Sequence, residues 1–208
     1  MPTQVAVLLF DGFDLLDAGG PYEVLLTANR LAERQGQPRP FVVTTVADHD
    51  GPVAAYGGLR VLADTTVDQL AAVDVVIVPG TIDVAAAVND DQLVATVAAL
   101  AARASTTTAS VCTGAFLLAA AGLLEGRTAT THHEDVPALA ARPDVGATVT
   151  TARWVDTGDV VTVAGLSSGI AGALHLVDRI AGRDLAVATA RQIEHAWDPD
   201  GADVVPGD

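Results

Sequence analysis

The chain has 208 residues, 50% of them hydrophobic but only 4% aromatic, and a formal net charge of -15. That length suits one large domain with a core of Ala, Val and Leu that needs no metal or disulfide, and so apolar a composition argues against disorder in the main body. The acidic balance disfavours nucleic acid, whose phosphates it would repel, and a single cysteine can make neither an internal disulfide nor a multi-cysteine metal site.

The first residues lack a basic segment and run straight into an apolar, β-branched stretch over residues 5–10. No signal peptide is expected, and the cytoplasm is the expected compartment. The stretch predicts a strand buried on both faces. Gly19-Gly20-Pro21 predicts a turn, with Pro21 in the first turn of a helix ending near Arg34. Residues 41–46 predict a second strand, and 56–62 a short hairpin or edge piece turning at Gly57-Gly58. Residues 73–78 predict a buried strand stopped by Pro79-Gly80. An amphipathic helix with an acidic first turn is expected over 91–104; it is too short for a membrane span, and Arg103 interrupts it. Residues 106–111 predict a strand and 113–121 a helix ended by Gly122. Short β-prone runs and a helix near 134–141 fill residues 128–163, and helices over 166–181 and 184–195 follow. This alternation predicts an α/β fold with a mainly parallel sheet sandwiched by helices. The expected organisation is a single domain over 1–197 and a loosely held acidic tail over 198–208.

Cys112 falls where a buried strand gives way to a helix, at the sheet edge where ligands of open α/β folds bind. Gly114 and Ala115 remove bulk where the two elements crowd together. This is the mechanics of a nucleophile elbow, although Gly-x-Ser-x-Gly is absent. Unpaired N–H groups at the helix start favour a thiolate, the species that attacks an electrophilic carbon. A lone cysteine is otherwise commonly a small buried hydrophobe; the turn context favours a reactive thiol. Asp17, expected in the loop after the first strand, lies on the same edge. Its spacing fits either an acid or an ordinary loop or capping carboxylate. Glu23, expected in the first helical turn, and Asp11 and Asp14 read as structural. His132, His133 and Glu134 could suggest a metal, but adjacent residues do not share a helix or strand face, so neither metal nor cofactor is expected. His49, His175 and His195 read as surface or packing residues.

Three motifs carry a family resemblance. Ser110-Val-Cys-Thr-Gly-Ala-Phe-Leu-Leu-Ala-Ala-Ala-Gly-Leu-Leu-Glu-Gly-Arg-Thr-Ala-Thr-Thr-His132 resembles the nucleophile region of the DJ-1/PfpI superfamily. The nearest branch contains isonitrile hydratases and the amidotransferase-like domains of AraC-type regulators. Asp11-Gly-Phe-Asp-Leu-Leu-Asp-Ala-Gly-Gly-Pro-Tyr-Glu-Val24 is similar to its first loop, and Val75-Val-Ile-Val-Pro-Gly80 to its Pro-Gly strand end. The resemblance covers nearly the whole chain and implies a flavodoxin-like architecture and a homodimer. It implies that Asp17 contacts the Cys112 sulfur and donates a proton, its pKa raised by burial and like charge. It also implies an oxyanion site from the N–H of Thr113 and the N–H of Thr81, the residue after Pro79-Gly80. Relatives often have glycine at position 81, so Thr81 should narrow the pocket; the Thr113 hydroxyl should bond substrate or water. His132 stands where relatives carry Thr-Thr-His-Trp, either assisting proton movement or sitting behind the site, with His133 replacing the tryptophan. Gly165-Leu-Ser-Ser-Gly-Ile170 resembles the turn before the penultimate helix, where Ser167 and Ser168 would cap the helix or line the cavity. An acidic residue common just after it is Ala171 or Gly172 here.

The leading expectation is an isonitrile-hydratase-like enzyme acting on a small organic electrophile. One alternative keeps the nucleophile for a glyoxalase- or hydratase-like reaction on small dicarbonyls. The other is a ligand or redox sensor without a DNA-binding domain, marked by peroxide oxidation of Cys112. The short stretch after the last expected helix leaves no room for a helix-turn-helix, so a sensor would need a separate partner. No Cys–His pair supports a peptidase.

Overall fold

The computed structural model describes residues 1–105 and 107–199. Its centre is built from four adjacent, largely buried strands. β1 (Thr3–Leu8), β6 (Val75–Val78), β7 (Thr107–Val111) and β11 (Val160–Val163) lie side by side, the last three buried at every residue. A strand covered on both faces needs no polar alternation, which is why β1 from Val5 on and β6 read as continuous hydrophobes; β7, Thr-Thr-Ala-Ser-Val, instead buries small and hydroxyl side chains. β2 (Phe41–Ala47) and β5 (Thr65–Thr66) extend the sheet on one side and β10 (Trp154–Asp156) on the other, in the order β10-β11-β7-β6-β1-β2-β5. All pairings are parallel except β10 with β11.

Helices flank this sheet in two groups. α1 (Leu15–Arg34), α6 (Ser168–Ala181) and α7 (Arg183–Gln192) pack on one another, and α2 (Val84–Val88), α3 (Asp91–Arg103) and α4 (Gly114–Ala120) form the second set. Asn29 ties α1 to β2, its side chain donating to the Phe41 carbonyl at 2.9 Å and accepting the Phe41 N–H at 3.0 Å. β3 (Pro52–Ala54) and β4 (Arg60–Leu62) form the expected hairpin around Gly57-Gly58. β8 (Thr128–Ala129), β9 (Ala147–Thr148) and α5 (Val136–Ala140) fill the segment before β10. No helix among the described residues is long and apolar enough to cross a membrane.

The expected start of α1 is corrected. Asp14 caps the helix by accepting the Leu16 N–H at 3.2 Å, so the helix begins ahead of Gly19-Gly20-Pro21 rather than after it. Gly20 serves packing: a Cβ there would sit 3.2 Å from Ile170 of α6. Asp17 therefore lies in the first helical turn, not in a loop, and Glu23 lies well inside the helix, exposed, accepting from the Thr27 hydroxyl at 3.3 Å. α2 was not foreseen. Thr106, the expected first residue of β7, and residues 200–208 of the expected tail lie outside the described residues.

Candidate active site

Cys112 follows the last residue of β7 and precedes α4, in a left-handed backbone conformation with φ at +56°. A non-glycine residue there costs about 1–3 kcal/mol and persists only when its surroundings over-determine it. Here they do. The Cys112 N–H reaches the Val163 carbonyl at 3.0 Å and the Ala164 carbonyl at 3.2 Å, while the Cys112 carbonyl accepts the Thr131 hydroxyl at 2.7 Å. A Cβ on Gly114 would lie 2.5 Å from the Val78 carbonyl oxygen, so only glycine lets α4 leave the strand this closely. The side chain is thereby aimed into a cavity of about 210 Å³ lined by Asp14, Thr81, Cys112, Thr113, His132 and Leu166 among others. Larger clefts exist, from about 260 Å³ to about 460 Å³, but Cys112 is not among their described lining residues.

The structure brings Asp17 to Cys112. Asp17 is fully buried, one oxygen (Oδ2) accepting the Gly80 N–H at 3.0 Å and the other (Oδ1) without a hydrogen-bond partner of its own. Burial pushes its carboxyl up to about 7; the Gly80 N–H pulls the other way, the nearby Asp14 charge adds to the rise, and a hydrogen bond with the Cys112 side chain opposes it. Burial likewise pushes the Cys112 thiol up to about 12, helped by the Asp17 charge and opposed by the N–H groups of Thr113 and Leu166. The expected free thiolate at neutral pH is thus corrected. The helix-start N–H groups are present, but desolvation and a neighbouring carboxylate outweigh them. Two acids this close titrate as a pair, giving up one proton near neutrality and the second only at alkaline pH.

Gly80 is the hinge of this arrangement: a Cβ there would meet Thr113 Oγ1 at 2.5 Å and Asp17 Oδ2 at 2.8 Å. Next to it, the Thr81 N–H donates to Thr113 Oγ1 at 2.8 Å, and the Thr113 hydroxyl returns a bond to the Thr81 carbonyl at 2.6 Å. The Thr81 hydroxyl is held by the Gly12 carbonyl at 2.9 Å. Two expectations are corrected by this clasp. The Thr81 N–H is not a free oxyanion donor, and the Thr113 hydroxyl is not free for substrate. The Thr113 N–H faces the sulfur instead, together with the N–H of Leu166, itself in a left-handed conformation at φ +43°.

His132 lines the cavity, but it is not among the groups that shift either acid. Its Nδ1 lies 3.8 Å from Glu134 and 3.7 Å from Asp135. Ser167 makes no side-chain capping bond and Ser168 is buried within α6, so Leu166, not either serine, is the cavity residue of that turn. Ala171 and Gly172 are packed into the core, Gly172 against Val163. His175, read as surface or packing, stacks on Trp154 and reaches Asp156 at 2.7 Å. Leu166 and Thr131 were missed as site residues. Their only sequence signals were the small-residue turn around Leu166 and the Thr-Thr-His run. His132, His133 and Glu134, expected not to share a face, each bring a ligating atom within 4.8 Å of the others.

The chain is 35% identical to the isonitrile hydratase of Pseudomonas putida over 203 residues, 96% of this chain and 81% of that one. It is 31% identical to the HTH-type transcriptional regulator GbdR of Pseudomonas aeruginosa over 90% of this chain but 49% of the regulator. The crystal structure of a ThiJ/PfpI family protein from Pseudomonas syringae superposes with a TM-score of 0.80 at 29% identity, covering 97% of this chain and 78% of that one. The DJ-1/PfpI family pattern matches residues 3–179, and the chain belongs to the DJ-1/PfpI family.

Proposed function

We propose that this chain is an isonitrile-hydratase-like enzyme that converts a small isonitrile to its N-substituted formamide, with Cys112 as nucleophile and Asp17 as proton carrier. The observation that carries the reading is the buried Asp17–Cys112 pair, whose carboxyl is pushed up to about 7 beside a strained thiol. Addition to an isonitrile requires a nucleophile and a proton at the same carbon, and a carboxyl that titrates near neutrality beside a thiol can free the sulfur and relay its proton. The identity to a curated isonitrile hydratase supports the same choice, and a cavity of about 210 Å³ suits a small substrate.

In this reading the Asp17 carboxylate takes the thiol proton as sulfur bonds to the isonitrile carbon. The N–H groups of Thr113 and Leu166 stabilise the charge developing on sulfur. The carboxyl then delivers its proton to that carbon, leaving a thioformimidate, R–N=CH–S–Cys112. Water adds across the C=N bond, its oxygen to carbon and a proton to nitrogen. The C–S bond breaks, the hydroxyl proton returns to sulfur, and R–NH–CHO leaves. One water is consumed, and thiol and carboxylate are regenerated. Gly80 and Thr81 act by holding Asp17 and Thr113 in place, and His132 forms part of the wall. A reduced lone thiol fits a cytoplasmic setting. The exposed Leu15, Leu16, Leu59 and Leu62 support a homodimer.

The test is formamide production from several simple isonitriles without added metal or cofactor, followed by chromatography. Wild type should turn over, Cys112→Ala should be inactive, and Asp17→Asn should lose about 10²-fold or more. Conversion of methylglyoxal with no isonitrile turnover replaces this reading by the dicarbonyl enzyme. If neither class reacts, the sensor replaces it.

A further inference from the structure

We propose that His132, His133 and Glu134 form a zinc-class divalent-metal site at the mouth of the Cys112 cavity, with Asp135 within reach as a fourth ligand. The site is independent of the hydration chemistry proposed above. His132 is extended (φ −54°, ψ 139°) and caps a 3-10 turn over His133–Asp135. The chain therefore bends after His132, and consecutive side chains converge instead of alternating. A ligating atom from each of the three residues falls within 4.8 Å of the other two, and the imidazole centroids are 4.5 Å apart.

Ligands on a tetrahedral zinc sit about 3.4 Å from one another, given metal–ligand bonds of about 2.0–2.2 Å. The cluster needs to contract by no more than about 1.4 Å, and His133 and Glu134, both exposed, can move that far by rotamer adjustment. The third ligand is already seated. A Cβ on Gly165 would lie 2.1 Å from His132 Cδ2, so that edge of the ring packs against the glycine. The opposite edge presents Nδ1 toward Glu134 at 3.8 Å and Asp135 at 3.7 Å. Two imidazoles with carboxylates suit zinc and its neighbours in the transition series, not the all-oxygen preference of magnesium or calcium. The carboxylates of Asp14, Glu134 and Asp135 line the cavity, and among the described residues no Lys or Arg does, so the local field draws a cation. Because His132, Glu134 and Asp135 share that cavity with Cys112, a bound ion would narrow access to the thiol.

Zinc chloride titrated calorimetrically into the full, tag-free chain should bind at one ion per chain. His133→Ala and Glu134→Ala, both at exposed positions, should weaken binding by about tenfold or more, while Cys112→Ala should bind as wild type does. Zinc should also slow alkylation of Cys112 in wild type but not in His133→Ala. The proposal is overturned if wild type takes up no zinc, or if His133→Ala and Glu134→Ala bind it undiminished. Loss of binding in Cys112→Ala would likewise overturn it, by moving the ion to the thiol itself.

Discussion

Replacing Asp17 by Asn removes a buried titrating group while keeping an acceptor for the Gly80 N–H, which now reaches Oδ2 at 3.0 Å. The carboxyl is pushed from the usual 3.8 up to about 7 by burial. A raised carboxyl binds its proton more tightly in the folded state, so its contribution to stability is fully present below about pH 4 and lost as pH rises through about 7. Integrated over the whole interval this amounts to about 4 kcal/mol, at about 1.36 kcal/mol per pH unit. The thiol shifts in the same direction, from 9.0 to about 12, so its window lies above neutrality. Between about pH 8.5 and about pH 5 the wild type should therefore gain about 3 kcal/mol that Asp17→Asn does not. Urea unfolding of both proteins at the two pH values isolates this difference, because other titrating groups cancel. Asn should be relatively favourable at the higher pH, with its advantage shrinking as pH falls. A stability difference independent of pH, or one that grows in favour of Asn on acidification, would refute the buried neutral-acid reasoning.

Other outcomes follow from the same geometry. In Asp17→Asn the carboxylate charge that raises the Cys112 thiol is gone, so the midpoint of its alkylation-rate profile should move to lower pH; an unchanged profile would mean the two groups are uncoupled. Thr113→Val strips both bonds of the clasp and leaves the Thr81 N–H unpaired, which should cost about 1–3 kcal/mol in denaturant melts; Thr113→Ser, which keeps the hydroxyl, should be spared most of it. Since Asp14, Glu134 and Asp135 line the cavity, an isonitrile bearing a carboxylate should show a lower kcat/KM than a neutral one of equal size, and added salt should narrow the gap. Equal values at low ionic strength would remove the acidic cavity from any role in selectivity.

The apolar runs at β1 and β6 were legible because strands buried on both faces write a continuous hydrophobic signal into a few adjacent residues. The elbow at Cys112 was legible for a related reason: a strand, a small-residue turn and a helix follow one another within a single short segment. The start of α1 was not. Gly19-Gly20-Pro21 reads locally as a break, yet Asp14 caps the helix earlier, and Gly20 and Pro21 instead lie against α6. Helix packing overrode a local preference of the kind that propensity alone measures.

Chain order and residue type by themselves determined the α/β alternation, the turn that carries Cys112 and the sheet edge it sits on, since each depends on neighbours a few residues apart. Tertiary structure alone decided the protonation of the site and the partners of its donors. Asp17 meets Gly80 across 63 positions and Thr81 meets Thr113 across 32. Whether a thiol at a helix start is ionised depends on how much water the whole fold excludes and on which charge is trapped beside it. Local helix-terminus electrostatics favoured a thiolate, but in the folded chain the desolvation of Cys112 and the charge of Asp17 outweigh them.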